Sequence, residues 1–462
     1  MKKVFLPFYG GLQIQVPDSL ELITPYVLRE QGDWFEDEIK FLRKILQKGE
    51  KIIDIGANYG TYTLMMAKAV GPEGKIWAFE PASSTSECLR ASISQNSLTN
   101  VVVEQSALSS KPGSARLSLN ANSELNSIVK GNESAASEEV LVVTLDERMA
   151  NYHWSGISFM KIDAEGEEEN IIAGGKKFFA AESPLIEFEY KAGREVNEGL
   201  VEAFGKMGYE SYRLVPGLDG LIPFPPGSVA DGYLLNLFCC KKDRAQELHQ
   251  RGLLVQSEEL QEARNRETPL QPHHHWRMAM RELEWASGLM PLWDESLKNT
   301  PEEELERALD LYFFSRDDKQ GHILRIVALE RSMQLLLTLT ENPLYLREST
   351  LARVARDLGA RQDAVRALNA LATRILSTKQ INPKEPFLIP VEAENWKMAD
   401  GNHGNFVFAS VLEGLEVFSA FSSFYSGPSA RGRLEVLRKL GLGSPEMGRR
   451  LDLLNKRFPK NK

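Results

Sequence analysis

The stretch KIIDIGANYGTYTLMMAKAV, residues 51–70, decides the fold. An apolar run reaches Asp54, the small or turn-forming residues Gly56, Asn58 and Gly60 follow, and Leu64, Met65 and Ala67 then open a helical pattern. A strand that turns through glycines into a helix lets the backbone approach a ligand in the crevice beyond the strand ends. The next apolar run, KIWAFEP (75–81), brings Glu80 twenty positions after Gly60. A carboxylate there offers two acceptor oxygens, enough for both hydroxyls of a ribose. The spacing is D-x-G-x-N-x-G, which is neither the dinucleotide fingerprint nor a P-loop. An acid at Asp54 suits a cationic cofactor end and would repel a pyrophosphate.

Working outward, the same texture continues through VVVEQSAL (101–108), ISFMKIDAE (157–165), PLIEFEY (184–190) and YLLNLFCC (233–240). Strands alternating with helical segments predict an α/β domain with a mostly parallel sheet over 51–243. The Ser/Asn-rich stretch 109–139, followed by LVVTL (141–145), predicts a β-like excursion or a loop over the active end of the sheet. Residues 1–50 predict a short β-like entry and then a lead-in helix, with Trp34, Phe35, Ile39, Leu42 and Ile45 near helical spacing, packed on the domain that follows.

Beyond about 241 the strand signals stop. Residues 244–275 predict a helical linker, with RETPLQPHHH (266–275) as its aperiodic end, and 276–462 an all-α domain, with a helical-repeat form as its variant though no clean fixed period runs through it. Thr300, Pro301 and Glu303 predict a capped helix start. Leu351, Val354, Ala355 and Leu358 form a stripe that Gly359 ends, and Ala364, Val365, Leu368, Leu371 and Ile375 form the next, which predicts a helical hairpin.

With 462 residues the chain exceeds what one core organises, so more than one domain is expected. The net charge of −9 opposes a broad nucleic-acid surface, and no N-P-P-Y or D-P-P-Y motif follows a strand. Cys88, Cys239 and Cys240 form no disulfide or zinc spacing and read as buried thiols. Pro7 cuts short the apolar run after Lys2 and Lys3, and no stretch reaches the ~18–20 apolar residues of a membrane span. The expectation is a cytoplasmic protein without a membrane span.

The ordered set DIGANYGTYT (54–63), FEP (79–81), SALS (106–109) and KIDAEGEE (161–168) resembles the FkbM-type methyltransferases, a branch of the class I S-adenosylmethionine fold. The resemblance covers roughly 20–240. It implies a seven-stranded Rossmann-like sheet, S-adenosyl-L-methionine as donor, and methylation of a hydroxyl on a sugar, glycan or related natural product. By position it implies that Asp54, Gly56, Asn58 and Gly60 line the methionine part of the cofactor. It also implies that Glu80, within FEP with Pro81, holds the ribose, and that Ser106 and Ala107 border the adenine.

An alcohol acceptor must lose a proton as the methyl arrives, which a placed carboxylate can take. Lys161, Asp163 and Glu165 share one face if the strand runs to 165. Asp163 is the leading general base or acceptor-orienting residue and Glu165 the second. The lesser reading of Asp163 is a cap for the following helix, and Glu167, Glu168 and Glu169 read as solvated acids at a helix start. Asp163, Glu165 and Glu189 together would suit a divalent metal, the arrangement of a metal-dependent small-molecule O-methyltransferase; the leading expectation has no metal. Glu36, in the lead-in helix, is a candidate for the cofactor's amino group, its alternative reading being a plain helix-surface acid. His153 is a second base candidate, and His273, His274 and His275 read as a solvated turn. The helical half is expected to recognise the acceptor or a protein partner. A catalytically weak docking protein in glycan assembly is the alternative from a different class.

Overall fold

The computed structural model describes residues 2–119, 137–192, 195–266, 275–340, 345–391 and 403–459. Two compact units emerge: residues 1–214, 221–229 and 234–254 form the first, and 215–220, 230–233 and 255–462 the second.

In the first unit, β1 (Lys3–Phe8) and β2 (Leu12–Pro17) make an antiparallel hairpin. Helices α1 (Ile23–Gln31) and α2 (Asp37–Ile45) follow. Trp34 and Phe35 precede α2 rather than belonging to it, and Glu36 is its extended N-cap residue. The lead-in is thus two helices with a break at Gly32, whose left-handed φ of +71° ends the first. Ile39, Phe41, Leu42 and Ile45 bury one face of α2, and each such side chain contributes about 1.5–3 kcal/mol by leaving water.

The central sheet is built from β3 (Lys51–Ile55), β4 (Lys75–Phe79), β5 (Val101–Glu104), β9 (Ile157–Ile162), β10 (Leu185–Glu189), β13 (Glu210–Val215), β14 (Gly220–Pro223) and β15 (Asn236–Cys240), in the order β14-β13-β15-β10-β9-β3-β4-β5. The five strands from β10 to β5 are parallel, and β15 runs antiparallel to both β10 and β13. The sheet therefore has eight strands where seven were expected, because Gly220–Pro223 adds an edge strand. Helices α3 (Thr61–Val70) and α4 (Ser83–Gln95) follow β3 and β4. The chain leaves β3 toward β4 on one side and meets β9 on the other, which opens a crevice at the C-terminal ends of these strands.

The run 101–108 divides: β6 (Ala107–Leu108) leaves the central sheet and pairs with β8 (Ser137–Val143), which also pairs antiparallel with β7 (Gly113–Ser118). The excursion read from 109–139 is thus strand-forming at both ends, and 120–136 lies outside the described residues. Helix α5 (Leu145–Tyr152) precedes β9, and α6 (Glu168–Ala173) and α7 (Lys176–Ala181) precede β10. A two-residue ladder, β11 (Lys191–Ala192) with β12 (Glu195–Val196), leads into α8 (Glu198–Lys206). All three cysteines are free and buried.

The second unit is helical along its described C-terminal stretch. The helices Arg347–Leu358 and Arg361–Thr378 are joined at Gly359, which takes a left-handed φ of +84°. The helix expected to start at Thr300 begins later: Glu302 is its N-cap residue, Glu303–Arg316 its body, and Thr300 caps the C-terminus of the preceding helix. His273 and His274 lie outside the described residues. No single described helix is long and apolar enough to cross a membrane.

Candidate functional site

The crevice at the ends of β3, β4 and β9 holds about 1030 Å³ of empty space, its open mouth included. Asp54, Gly56, Asn58, Glu80, Pro81, Ser106, Ala107, Glu36, Asp163 and Glu165 all line it. Gly60 does not: it caps α3 with φ +98°, and a Cβ there would stand 2.5 Å from Leu89 Cδ1. Gly56 is dictated by the protein's own backbone as well, since a Cβ at its φ of +80° would lie 1.7 Å from the Asp163 carbonyl oxygen. That close approach, together with Asp163 N donating to the Ile55 carbonyl at 3.1 Å, locks the end of β9 to the loop after β3.

Asp54 is fully buried at the crevice wall. Thr63 Oγ1 donates to its Oδ2 at 2.5 Å, whereas Oδ1 has no hydrogen-bond partner. Burial raises its carboxyl above the ordinary range, with Lys161 and Thr63 opposing. A buried oxygen without a donor costs free energy unless a ligand supplies one. Glu80 is held by two backbone donors, Asn58 N to Oε2 and Ala82 N to Oε1, both at 2.9 Å. Burial pushes it up to about 7 against these two bonds. Each of its oxygens keeps a second lone pair for a ribose hydroxyl. Tyr62 donates its hydroxyl to Glu36 Oε2 at 2.5 Å.

Lys161 sits between two acids in one row across the sheet, paired in register with Asp54 on β3 and Glu187 on β10. Its Nζ lies 2.5 Å from Asp163 Oδ2 and 4.7 Å from the centre of the Tyr62 ring. Burial alone would pull this ammonium down, but Asp163, Glu187, Glu36 and Asp54 together raise it. Glu187 is wholly buried with both carboxylate oxygens unpartnered, and burial pushes it well above its usual range. Glu189 is driven up to about 9, chiefly by burial and then by Asp163 and Glu165.

The strand does not persist to 165. β9 ends at Ile162, and Glu165 and Gly166 turn with φ of +49° and +93°. Alternation therefore does not put Glu165 beside Asp163; the turn does. Glu167 and Glu168 are buried, contrary to their reading as solvated acids. Glu168 accepts from Ala164 N and Gly166 N, and Glu167 accepts from Ser109 Oγ and Asn170 Nδ2, so both tie the loop that carries Asp163. His153 is exposed at the end of α5 and does not line the crevice. Among the described residues no group of three or more His, Cys, Asp or Glu side chains is arranged to hold a metal ion. Trp34, Tyr62, Leu117 and Lys161 line the crevice without having been singled out as site residues. A lysine inside an apolar strand is the one signal that marks Lys161, because lysine is rarely buried without a partner.

These features fit S-adenosylmethionine. Asp54 offers an unsatisfied acceptor, Glu80 a ribose-type acceptor pair, and the acids outnumber the single lysine around a ligand that carries positive charge. An open α/β sheet with such a site defines a nucleoside-cofactor enzyme. Residues 54–211 match the family model described as the Methyltransferase FkbM domain. These residues carry that domain, which makes this part of the chain an S-adenosylmethionine-dependent methyltransferase domain. Similar solved structures include a methyltransferase FkbM from Methylobacillus flagellatus KT, with 14% identity over 42% of this chain and 44% of that one and a TM-score of 0.30. An S-adenosylmethionine-dependent methyltransferase from Aquifex aeolicus has 15% identity over 49% and 92%, TM-score 0.24. An S-adenosylmethionine-dependent O-methyltransferase from Thermotoga maritima has 14% identity over 52% and 77%, TM-score 0.25. No curated protein matches the sequence.

Proposed function

We propose that the chain is an O-methyltransferase acting in the cytoplasm on a hydroxyl of a sugar, glycan or related natural product. S-adenosylmethionine supplies a methyl already activated by its sulfonium. In this reading Glu36 meets the cofactor's amino group, Asp54 and Asn58 hold its amino-acid end beside Gly56, Glu80 takes the ribose hydroxyls, and Ser106 and Ala107 border the adenine. Asp163 orients the acceptor hydroxyl and takes its proton, with Glu165 as the second acid at the acceptor end. The observation that carries the reading is Asp163 itself: its side chain is 38% exposed, lines the crevice, and is steered by a lysine that is 6% exposed. The helical domain, 276–462, recognises the acceptor or a protein partner.

The test incubates the full chain with methyl-labelled S-adenosylmethionine and a panel of neutral sugars and glycans. Label should appear in an ether linkage, and Asp163→Asn should slow transfer about 10²- to 10⁴-fold, the usual contribution of a placed base. Transfer to nitrogen, or an unaltered rate in Asp163→Asn, would sink it. Deleting 265–462 with acceptor choice intact would remove the role given to the helical domain.

A further inference from the structure

Two helices of the second unit, Arg431–Leu440 and Pro445–Arg457, are joined by a turn through Gly441 and Gly443. Together they carry eight Lys and Arg against three Asp and Glu, in a chain whose net charge is −9. Their apolar sides are used inward: Leu434, Leu437, Met447, Leu451 and Leu454 belong to one buried cluster. Four of the cations also serve the fold. Arg433 and Arg450 hold Glu416, and Arg431 and Arg457 reach the carbonyls of Phe458 and Phe424. The other four, Arg438, Lys439, Arg449 and Lys456, are exposed.

These four make one surface. Arg449 and Lys456 are seven positions apart on one helix, which puts them on the same side. Arg438 crosses to that side from the other helix, donating to the Gly448 carbonyl at 3.1 Å and to Asp452 at 2.6 Å. Lys439 follows it in the last turn. Next to Lys456, the Arg457 guanidinium lies 4.0 Å from the centre of the Phe424 ring. The residue after Phe424, Tyr425, is 52% exposed.

We propose that this face docks the chain on an anionic phospholipid surface. The cations complement such a surface, and each Lys or Arg near it favours the bound state about fivefold. Tyr425 adds a ring with an apolar body and a polar tip, the kind that settles at headgroup level. Duplex nucleic acid draws on about six to ten phosphate contacts, more than four exposed cations supply, whereas partition onto a charged sheet needs no fixed contact set. The acids elsewhere in the chain oppose the approach weakly, because salt screens charges more than about 8 Å away. With the apolar sides of both helices spent on the core, the association is peripheral and reversed by salt. It gives the helical domain a task beside recognition: acceptors presented at the same surface are met at a raised local concentration. Methyl transfer can succeed or fail independently of it.

The test floats the full chain with vesicles of phosphatidylcholine, alone or with phosphatidylglycerol added. The chain should rise with the anionic vesicles at low salt, stay behind with the neutral ones, and release as salt is raised. Lys439→Gln, Arg449→Gln and Lys456→Gln combined should lower partition about a hundredfold, and Tyr425→Ala a few-fold. All four side chains are exposed, so the thermal midpoint should hold, which separates lost docking from a lost fold. Should the triple variant not fold, the single changes carry the same test at about fivefold each. Equal partition onto neutral vesicles, no flotation, or a folded triple variant that floats like wild type would overturn the proposal. So would a mixed-sequence DNA duplex that binds through the same three side chains and strips the chain from the vesicles.

Discussion

Buried charges in the two units are handled in opposite ways. In the helical unit, Arg347 makes a two-pronged pair with Glu385 at 2.8 and 2.7 Å. Arg450 reaches Glu416 at 3.0 Å and Glu446 at 2.9 Å, and Arg433 meets the other Glu416 oxygen at 2.8 Å. Each of these acids faces a guanidinium, whereas buried Asp310 and Glu413 in the same unit accept from the backbone amides of Trp276 and Ser444. In the sheet unit, Lys161 alone stands among Asp54, Asp163, Glu36 and Glu187, and three carboxylate oxygens, Asp54 Oδ1 and both of Glu187, have no donor. Paired ions inside a protein are maintained for the fold itself. Acids kept buried and under-neutralised cost stability, and a cationic ligand offsets that cost. The difference separates a structural interior from a binding one.

The largest effect expected from this contrast is at Arg450. Arg450→Met strips Glu416 of a guanidinium that is 1% exposed and leaves Arg433 and the Ser426 hydroxyl as its remaining partners. Such a loss should destabilise the helical unit by about 3–5 kcal/mol, read as an earlier urea midpoint. An unchanged midpoint would mean that Arg433 neutralises Glu416 by itself. Asp54→Asn should do the reverse. The amide oxygen still accepts from Thr63 and the buried carboxylate at position 54 is gone, so the apo protein should unfold at the same urea concentration or a higher one. Affinity for S-adenosylmethionine should nevertheless drop about ten- to hundredfold, the worth of a hydrogen bond to a charged group. A variant that loses stability and keeps affinity would erase the distinction between the units.

How much of this was legible beforehand depends on distance along the chain. The turn after β3 and the placing of Asp54 and Glu80 at one crevice were readable because strand, loop and acid lie within thirty residues. The helical hairpin at Gly359 was readable for the same reason. Lys161 was not assigned a role because its place is set by β9 lying between β3 and β10, and register with Asp54 involves a residue more than a hundred positions away. Glu167 and Glu168 looked like dipole-complementing acids, since nothing local tells a solvated carboxylate from one bonded to loop amides. Gly60 fits the loop pattern but answers to Leu89. The eighth strand went unseen because Gly220–Pro223 is too short to show a period.

The smallest effect lies in pH. Glu80 titrates at about 7 in the folded protein, pushed up by burial, against an ordinary 4.5. A folded carboxyl whose pKa is raised holds its proton more firmly than the unfolded chain does. It therefore contributes stability in full below about 4.5 and loses it as pH climbs through about 7. Glu189, driven up to about 9, extends the same slope into the alkaline range. Ligand binding should run the other way, because the ionised Glu80 is the better acceptor for two ribose hydroxyls. Between pH 6 and pH 8 the apo protein should lose thermal stability while its affinity for S-adenosylhomocysteine rises a few-fold. Glu80→Gln should flatten the affinity trend and leave the part of the stability slope that belongs to Glu189. Affinity that falls with pH in step with stability would mean that Glu80 serves the fold, as the paired acids of the helical unit do.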